Sequence, residues 1–234
     1  MIDNPNDRND PNPSDAEEEV LQETFRRRDD FWRGVGEVDP NYFAPAINPT
    51  LAGGPEWPNL RQAYRKIQLP NGNTVIATDG LSDPFSATHP LKTEGSGFGL
   101  EFYVETDEDF ENPFRSWMFD ALNIVAEQAA HRGDFRELID EITYISMQQS
   151  GVRTPVGYKY PEGQSGALVG IESKTIPGQT ALPLGDVIFA SVTVLYPAEL
   201  DFAAQGDEAR AKLAARFADQ CGGPLSSTMR RPVI

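Results

Sequence analysis

The clearest alternation of apolar and polar side chains runs through Gly99–Thr106. Leu100, Phe102 and Val104 fall on one face and Glu101, Tyr103 and Glu105 on the other, the period-two signature of a half-buried strand. Leu60–Leu69 reads as an earlier strand, with Tyr64, Ile67 and Leu69 set between Arg65, Lys66 and Gln68, and Thr74–Thr78 reads as its return. Pro70-Asn71-Gly72-Asn73 between them predicts a hairpin, because Asn-Gly tolerates the positive φ angles of a type I′ turn. Ala167–Glu172 is a shorter strand. Val187–Tyr196, β-branched and almost wholly apolar, is predicted to be the central one.

Other stretches carry the three-and-four spacing of helices. Ser14 opens the first, with capping-box spacing to Glu17 and with Asp15, Glu17, Glu18 and Glu19 at the positive end of the dipole. Leu21, Phe25 and Trp32 lie near one face that can dock on a domain, and Gly34 and Gly36 end the helix. The run Arg26-Arg27-Arg28 is expected to be a solvated face paired with nearby acids. Asn112-Pro113 starts a core helix reaching about His131, with Phe114, Trp117, Met118, Ala121, Leu122, Val125 and Ala129 on a broad apolar face and Gly133 as its stop. Phe135–Met147 fits a short helix or a strand. Pro197 opens a short helix at Ala198-Glu199-Leu200, and Gly206–Gln220 forms another, stopped by Gly222-Gly223. Strands and helices mix without regular βαβ alternation. This predicts an α+β fold, with helices packed on a mostly antiparallel mixed sheet.

Composition narrows the organisation. Met1–Pro13 is almost entirely Asn, Asp and Pro and is expected to be a disordered tail. The division expected is an acidic tail and helix over 1–40, then a single domain over 41–234. The 234 residues suffice for a sizeable core. The formal net charge of −16 disfavours nucleic acid and anionic membranes as partners and leaves a basic protein compatible. One cysteine, Cys221, precludes an internal disulfide. The first residues lack a signal-peptide pattern, and no apolar run reaches the length of a membrane helix. A soluble cytoplasmic protein is expected.

The search for chemistry returns little. His89 and His131 stand in no metal-binding spacing, and His89 is expected at the surface. Cys221 has no flanking motif, and no nucleophile elbow, phosphate loop or Cys-x-x-Cys pair occurs. Gly95-Ser96-Gly97-Phe98-Gly99 leads into a strand, so it fails the context of a phosphate-cradling loop. No catalytic residue, metal or cofactor is assigned. Two acidic loops are the candidate partner-binding surface: Asp79, Leu81, Ser82 and Asp83 in the long turn-rich stretch after the Thr74–Thr78 strand, and Asp107, Glu108, Asp109 and Glu111 after Gly99–Thr106. The competing use of these carboxylates is a small-ligand or hydrolytic site.

Several of these segments carry a resemblance. Ile76-Ala77-Thr78-Asp79-Gly80-Leu81-Ser82 followed by Gly97-Phe98-Gly99-Leu100-Glu101 resembles the core of the suppressor-of-fused-like (SUFU) domain. So do the stretch from Trp57-Pro58 to Tyr64, the helix around Trp117, Leu182-Pro183-Leu184-Gly185-Asp186-Val187, Pro197-Ala198-Glu199-Leu200, and the closing Ser226-Ser227 to Arg231-Pro232-Val233. The resemblance covers Pro58 to Ile234 and departs over Phe135–Gln164. It implies an α+β domain of the bacterial type, no enzyme activity, and protein binding. Bacterial domains of this kind are similar to immunity proteins that neutralise a cognate toxin of a polymorphic toxin system, and an acidic protein suits a basic toxin.

Overall fold

The computed structural model describes residues 15–234. Met1–Pro13 and the Ser14 cap lie outside the described residues. The architecture is α+β: five helices pack on both faces of an eight-stranded mixed sheet in the described residues. The strands are β1 (Glu37–Val38), β2 (Ala63–Gln68), β3 (Thr74–Asp79), β4 (Leu100–Thr106), β5 (Ile145–Gln149), β6 (Ser165–Val169), β7 (Gln179–Leu182) and β8 (Gly185–Leu195). Their order is β1-β2-β3-β4-β8-β6-β5, with β7 also paired to β8. All pairings are antiparallel except β4–β8. The apolar segment predicted to be central is central: β8 carries β4 on one side and, in succession, β7 and β6 on the other.

The hairpin between β2 and β3 forms with a different turn from the one expected. Pro70 holds the position after Leu69, and its fixed negative φ suits a type I turn. The Gly72 N–H donates to the Leu69 carbonyl at 3.0 Å and the Leu69 N–H to the Asn73 carbonyl at 2.8 Å. Gly72 alone takes the left-handed conformation, at φ +89°. The loop therefore has three residues and ends in a glycine bulge, not a two-residue type I′ turn.

β4 also departs from expectation, being buried along its whole length. Leu100, Phe102 and Val104 face α2 (Trp117–Arg132), meeting Met118, Leu122 and Val125 in the largest core cluster. The opposite face is roofed by α1 (Asp15–Val35), whose Trp32 packs with Ile67, Val75, Tyr103 and Phe189. Phe31 stacks on Phe189 at 3.9 Å between ring centroids. Further along that face, α4 (Pro197–Ala203) and α5 (Asp207–Gln220) cover Leu168 and Leu195. Periodicity reports one strand at a time and cannot show that a distant helix caps its polar face.

Two helical expectations resolve on local chemistry. Asn112-Pro113 starts only a short 3₁₀ turn, Pro113–Arg115. The chain then extends at Ser116, whose hydroxyl accepts from the Met118 N–H and caps α2. The ambiguous Phe135–Met147 stretch splits into α3 (Phe135–Ile142) and β5. The short β1 and β7 carry no pattern of their own in the sequence. β1 is fixed where Gly36 passes β2 so closely that a Cβ there would sit 2.4 Å from the Gln68 carbonyl oxygen.

Candidate functional site

The Asp79–Asp83 loop leaves β3 beside the first turn of β4 and folds inward, not outward. Leu81, Ser82 and Asp83 are fully buried, and Asp79 nearly so. Glu101, at the start of β4, organises the turn. Its Oε1 accepts the Gly80 N–H at 3.0 Å, the Ser82 N–H at 2.9 Å and the Ser82 hydroxyl at 2.6 Å, and its Oε2 accepts the Thr78 hydroxyl at 2.5 Å. A buried carboxylate with this many donors is solvated by protein in place of water.

Two arginines close the constellation. Arg28 descends from α1 and is only 1% exposed. Its Nη2 lies 2.5 Å from Asp79 and 2.7 Å from Asp83, and its Nη1 lies 2.8 Å from the Ser82 hydroxyl and 3.3 Å from Glu101. Arg61 approaches from the other side, 2.9 Å from Asp79 and 3.2 Å from Asp83. Its guanidinium carries the Phe25 ring of α1 at 4.3 Å, and Arg65 pairs with Asp29 of α1 and covers Tyr42. Burial alone raises the pKa of the Asp79 carboxyl. The Arg28 and Arg61 charges outweigh that and hold it below the ordinary value. Burial likewise opposes the Arg28 charge, and the three acids overcome it, holding its pKa above the usual arginine value.

This corrects one expectation. Arg26 and Arg27 are solvated and paired with Glu23 and Asp30, but Arg28 is the most deeply placed cation of the cluster. The sequence pattern places Arg28 in a solvated run and Glu101 on the polar face of a strand, and it assigns neither of them, nor Arg61, to the site. The signal for Arg28 was its spacing: Phe25, Arg28 and Trp32 follow the three-and-four rhythm of one helix stripe.

The second acidic loop is separate. Asp107 and Glu111 are exposed, and Asp109 keeps 83% of its side chain in solvent. Glu101 and Asp107 are six residues apart on an extended chain, so the two loops lie about 20 Å apart, at opposite ends of β4. The outer loop is tethered to neighbours. Ser227 donates to Asp107 at 2.8 Å, the Thr228 N–H to Glu108 at 3.0 Å, and Lys66 to Asp109 at 3.0 Å. The hydrogen bond from Lys66, with its charge, lowers the Asp109 pKa. A cavity of about 460 Å³ opens between α3, the 170–178 loop and β8, lined by Tyr103, Thr143, Ser173, Thr175, Phe189 and Ser191 among others. None of the eight residues proposed from the sequence lines it. His89, expected at the surface, is buried: its ring packs on Phe85 at 4.7 Å and accepts the Leu91 N–H at 3.1 Å.

No protein-family model matches the chain, and no curated protein matches it. Solved structures do. A chain of the Sufu–Fu complex aligns over 92% of this chain and 92% of its own, with a TM-score of 0.56 and 15% identity. A chain described as a SUFU (suppressor of fused protein) homolog from Neisseria gonorrhoeae FA 1090 aligns over 93% of this chain and 98% of its own, with a TM-score of 0.57 and 13% identity. The chain has the suppressor-of-fused-like fold. The SUFU-like motifs of the sequence stand in this fold as buried anchors. Thr78–Ser82 and Glu101 build the cluster under α1, while Glu199 and the Ser226–Val233 segment build a second carboxylate–arginine clamp through Arg230. No helix of the described residues is long and apolar enough to cross a membrane.

Proposed function

We propose that this SUFU-like chain is a non-catalytic module that binds another protein. One contrast carries the reading. The carboxylates that the chain brings together are already committed: Asp79, Asp83 and Glu101 to Arg28 and Arg61, and Glu199 to Arg230. The carboxylates of Asp107, Asp109 and Glu111 stay exposed on the 107–111 loop, with single contacts from Ser227 to Asp107 and from Lys66 to Asp109. There they can meet a cationic surface, whereas a general acid or base must come within hydrogen-bond reach of the proton it transfers in a bound substrate. One solved chain of similar fold comes from the Sufu–Fu complex. The net charge of −16 favours a basic partner, attracted over distance by the field of the whole molecule.

The finer form of the reading is an immunity function, the neutralisation of a basic toxin in the cytoplasm. The test is affinity capture of the tagged chain from its native lysate at low and high salt, followed by co-expression with any captured protein that is toxic on its own. A basic protein retained at low salt and released as salt screens the charges supports binding, and protection of the co-expressing cells supports immunity. Empty lanes at both salts overturn the binding reading. A salt-sensitive basic partner that is harmless alone overturns the immunity form.

A further inference from the structure

The surface beneath α1 is shaped for a guanidinium beside an indole. Asp79, Asp83 and Glu101 place three carboxylates around one point, and the body of the domain supplies Arg61 in ion-pair contact with Asp79 and Asp83 and the charge of Arg65 acting on Asp79. The matching cation, Arg28, comes from α1. Four residues on, Trp32 fills an apolar slot between Ile67, Val75, Tyr103 and Phe189. The four buried residues of the 21-residue helix, Thr24, Arg28, Trp32 and Val35, form one narrow stripe.

The rest of α1 looks after itself. Arg26 pairs with Glu23 and Asp30, Arg27 with Glu23, and Arg33 with Asp29, all within the helix. Pairs at these spacings support a helix whether or not it is docked. Outside the stripe its ties to the domain are few: Asp29 to Arg65 of β2, Phe31 stacked on Phe189, and Phe25 against the Arg61 guanidinium. Beyond it come Gly36, the two-residue β1, and a segment over 39–62 whose regular structure is a single 3₁₀ turn, Pro49–Ala52. Such an element can open as a unit while the sheet stays closed.

We propose that this cleft is a binding site for an amphipathic helix of a protein partner that presents an arginine and, four residues later, a large aromatic side chain, and that α1 is the in-chain occupant which the partner displaces. The proposal rests on the protein-binding reading above and adds to the exposed 107–111 loop a second surface, one that is covered while α1 is docked. With α1 docked, Asp79, Leu81, Ser82 and Asp83 are covered; with α1 lifted, they form the floor of the site. Charge selects the partner. An apolar helix without the arginine leaves the excess carboxylates buried and unpaired, which is strongly unfavourable.

Hydrogen exchange on the full wild-type chain tests the opening without any substitution. The α1 amides are expected to exchange at least about tenfold faster than those of β4 and β8. Exchange of α1 at the same rate as those strands makes the helix an inseparable part of the core and overturns the proposal. A fluorescent peptide of residues 15–35, added in trans, tests the site. It is expected to bind the full-length Arg28→Ala chain at least about tenfold more tightly than wild type, and to lose that affinity when the peptide itself carries Arg28→Ala. Equal binding to both chains, or equal binding by both peptides, overturns the proposal. A captured partner that binds wild type and Arg28→Ala equally also overturns it while leaving the protein-binding reading intact. Peptide binding with the expected selectivity supports the cleft even where capture finds no partner.

Discussion

Glu199 and Arg230 meet in a two-pronged ion pair, with one Glu199 oxygen 2.7 Å from Nη1 and the other 2.7 Å from Nη2. The residues come from the first turn of α4 and from the last five residues of the chain. The carboxylate also accepts the Tyr196 and Val233 N–H groups at 2.8 Å. The guanidinium donates to the Val194 carbonyl at 2.9 Å and sits over the rings of Tyr196, Phe217 and Tyr158. A closing segment without regular structure is thus held against β8 by one buried charge pair and the aromatics around it.

Arg230→Ala removes one member of that pair and leaves Glu199, which is fully buried, without its counter-charge. The expected cost is about 3–5 kcal/mol of folding stability, read from urea unfolding curves. Arg231→Ala, at an exposed neighbour, is expected to change stability by less than about 0.5 kcal/mol.

Arg28 and Asp83 are coupled through the same physics. Arg28→Ala strands the carboxylates beneath α1 and is expected to cost about 3–5 kcal/mol. Asp83→Asn in the Arg28→Ala background removes one stranded charge, so its cost is expected to be smaller than in wild type. A double-mutant cycle of melting curves checks this, with a coupling energy of about 1–3 kcal/mol as the expected outcome.

Acid should loosen this region in a defined direction. Arg28 and Arg61, acting against burial, hold the Asp79 carboxyl below its ordinary value of 3.8. The unfolded chain therefore takes up that proton at a higher pH than the folded chain. The contribution of Asp79 is complete above the unfolded value and is lost as pH falls below it toward the folded value. Stability measured from pH 7 down to pH 3 is expected to fall less steeply in Asp79→Asn than in wild type, and the two curves should converge at the acid end.

Much of this fold was written in local pattern. The apolar run that became β8, the α2 stripe from Met118 to Ala129 and the glycine stop at Gly133, which takes φ +76°, each follow from neighbouring residues and one periodicity. The cluster under α1 was not legible in that way. Arg28 and Asp83 are 55 residues apart in sequence, and nothing local to either announces the other. A triplet of arginines reads as solvent-facing by composition, and only the Phe25–Arg28–Trp32 rhythm points the third inward. The Thr78–Ser82 loop drew attention through its turn residues, yet its acids are held by arginines from α1 and from the segment before β2. Glu101 was legible as the polar face of a strand, but the helix that covers that face lies more than sixty residues upstream.

Geometry makes a sharp demand for glycine at position 97. Gly97 has φ +52°, and a Cβ there would lie 2.5 Å from the carbonyl oxygens of both Leu81 and Asp83. These are backbone atoms of the loop that wraps Glu101, so they cannot turn aside as a flexible side chain would. Gly72, in the β2–β3 hairpin, also has positive φ, at +89°, but a Cβ there meets nothing within 4 Å. Gly72→Ala is therefore expected to cost only conformational strain, about 1 kcal/mol. Gly97→Ala adds steric displacement of the loop and is expected to cost more than about 3 kcal/mol. Loop displacement would also spoil the alignment of Asp79 and Asp83 with Arg28. Hydrogen exchange in α1 should therefore quicken in Gly97→Ala by more than the slow amides of β8 do, and stay at the wild-type rate in Gly72→Ala; an equal change in α1 and β8 would mark general destabilisation instead.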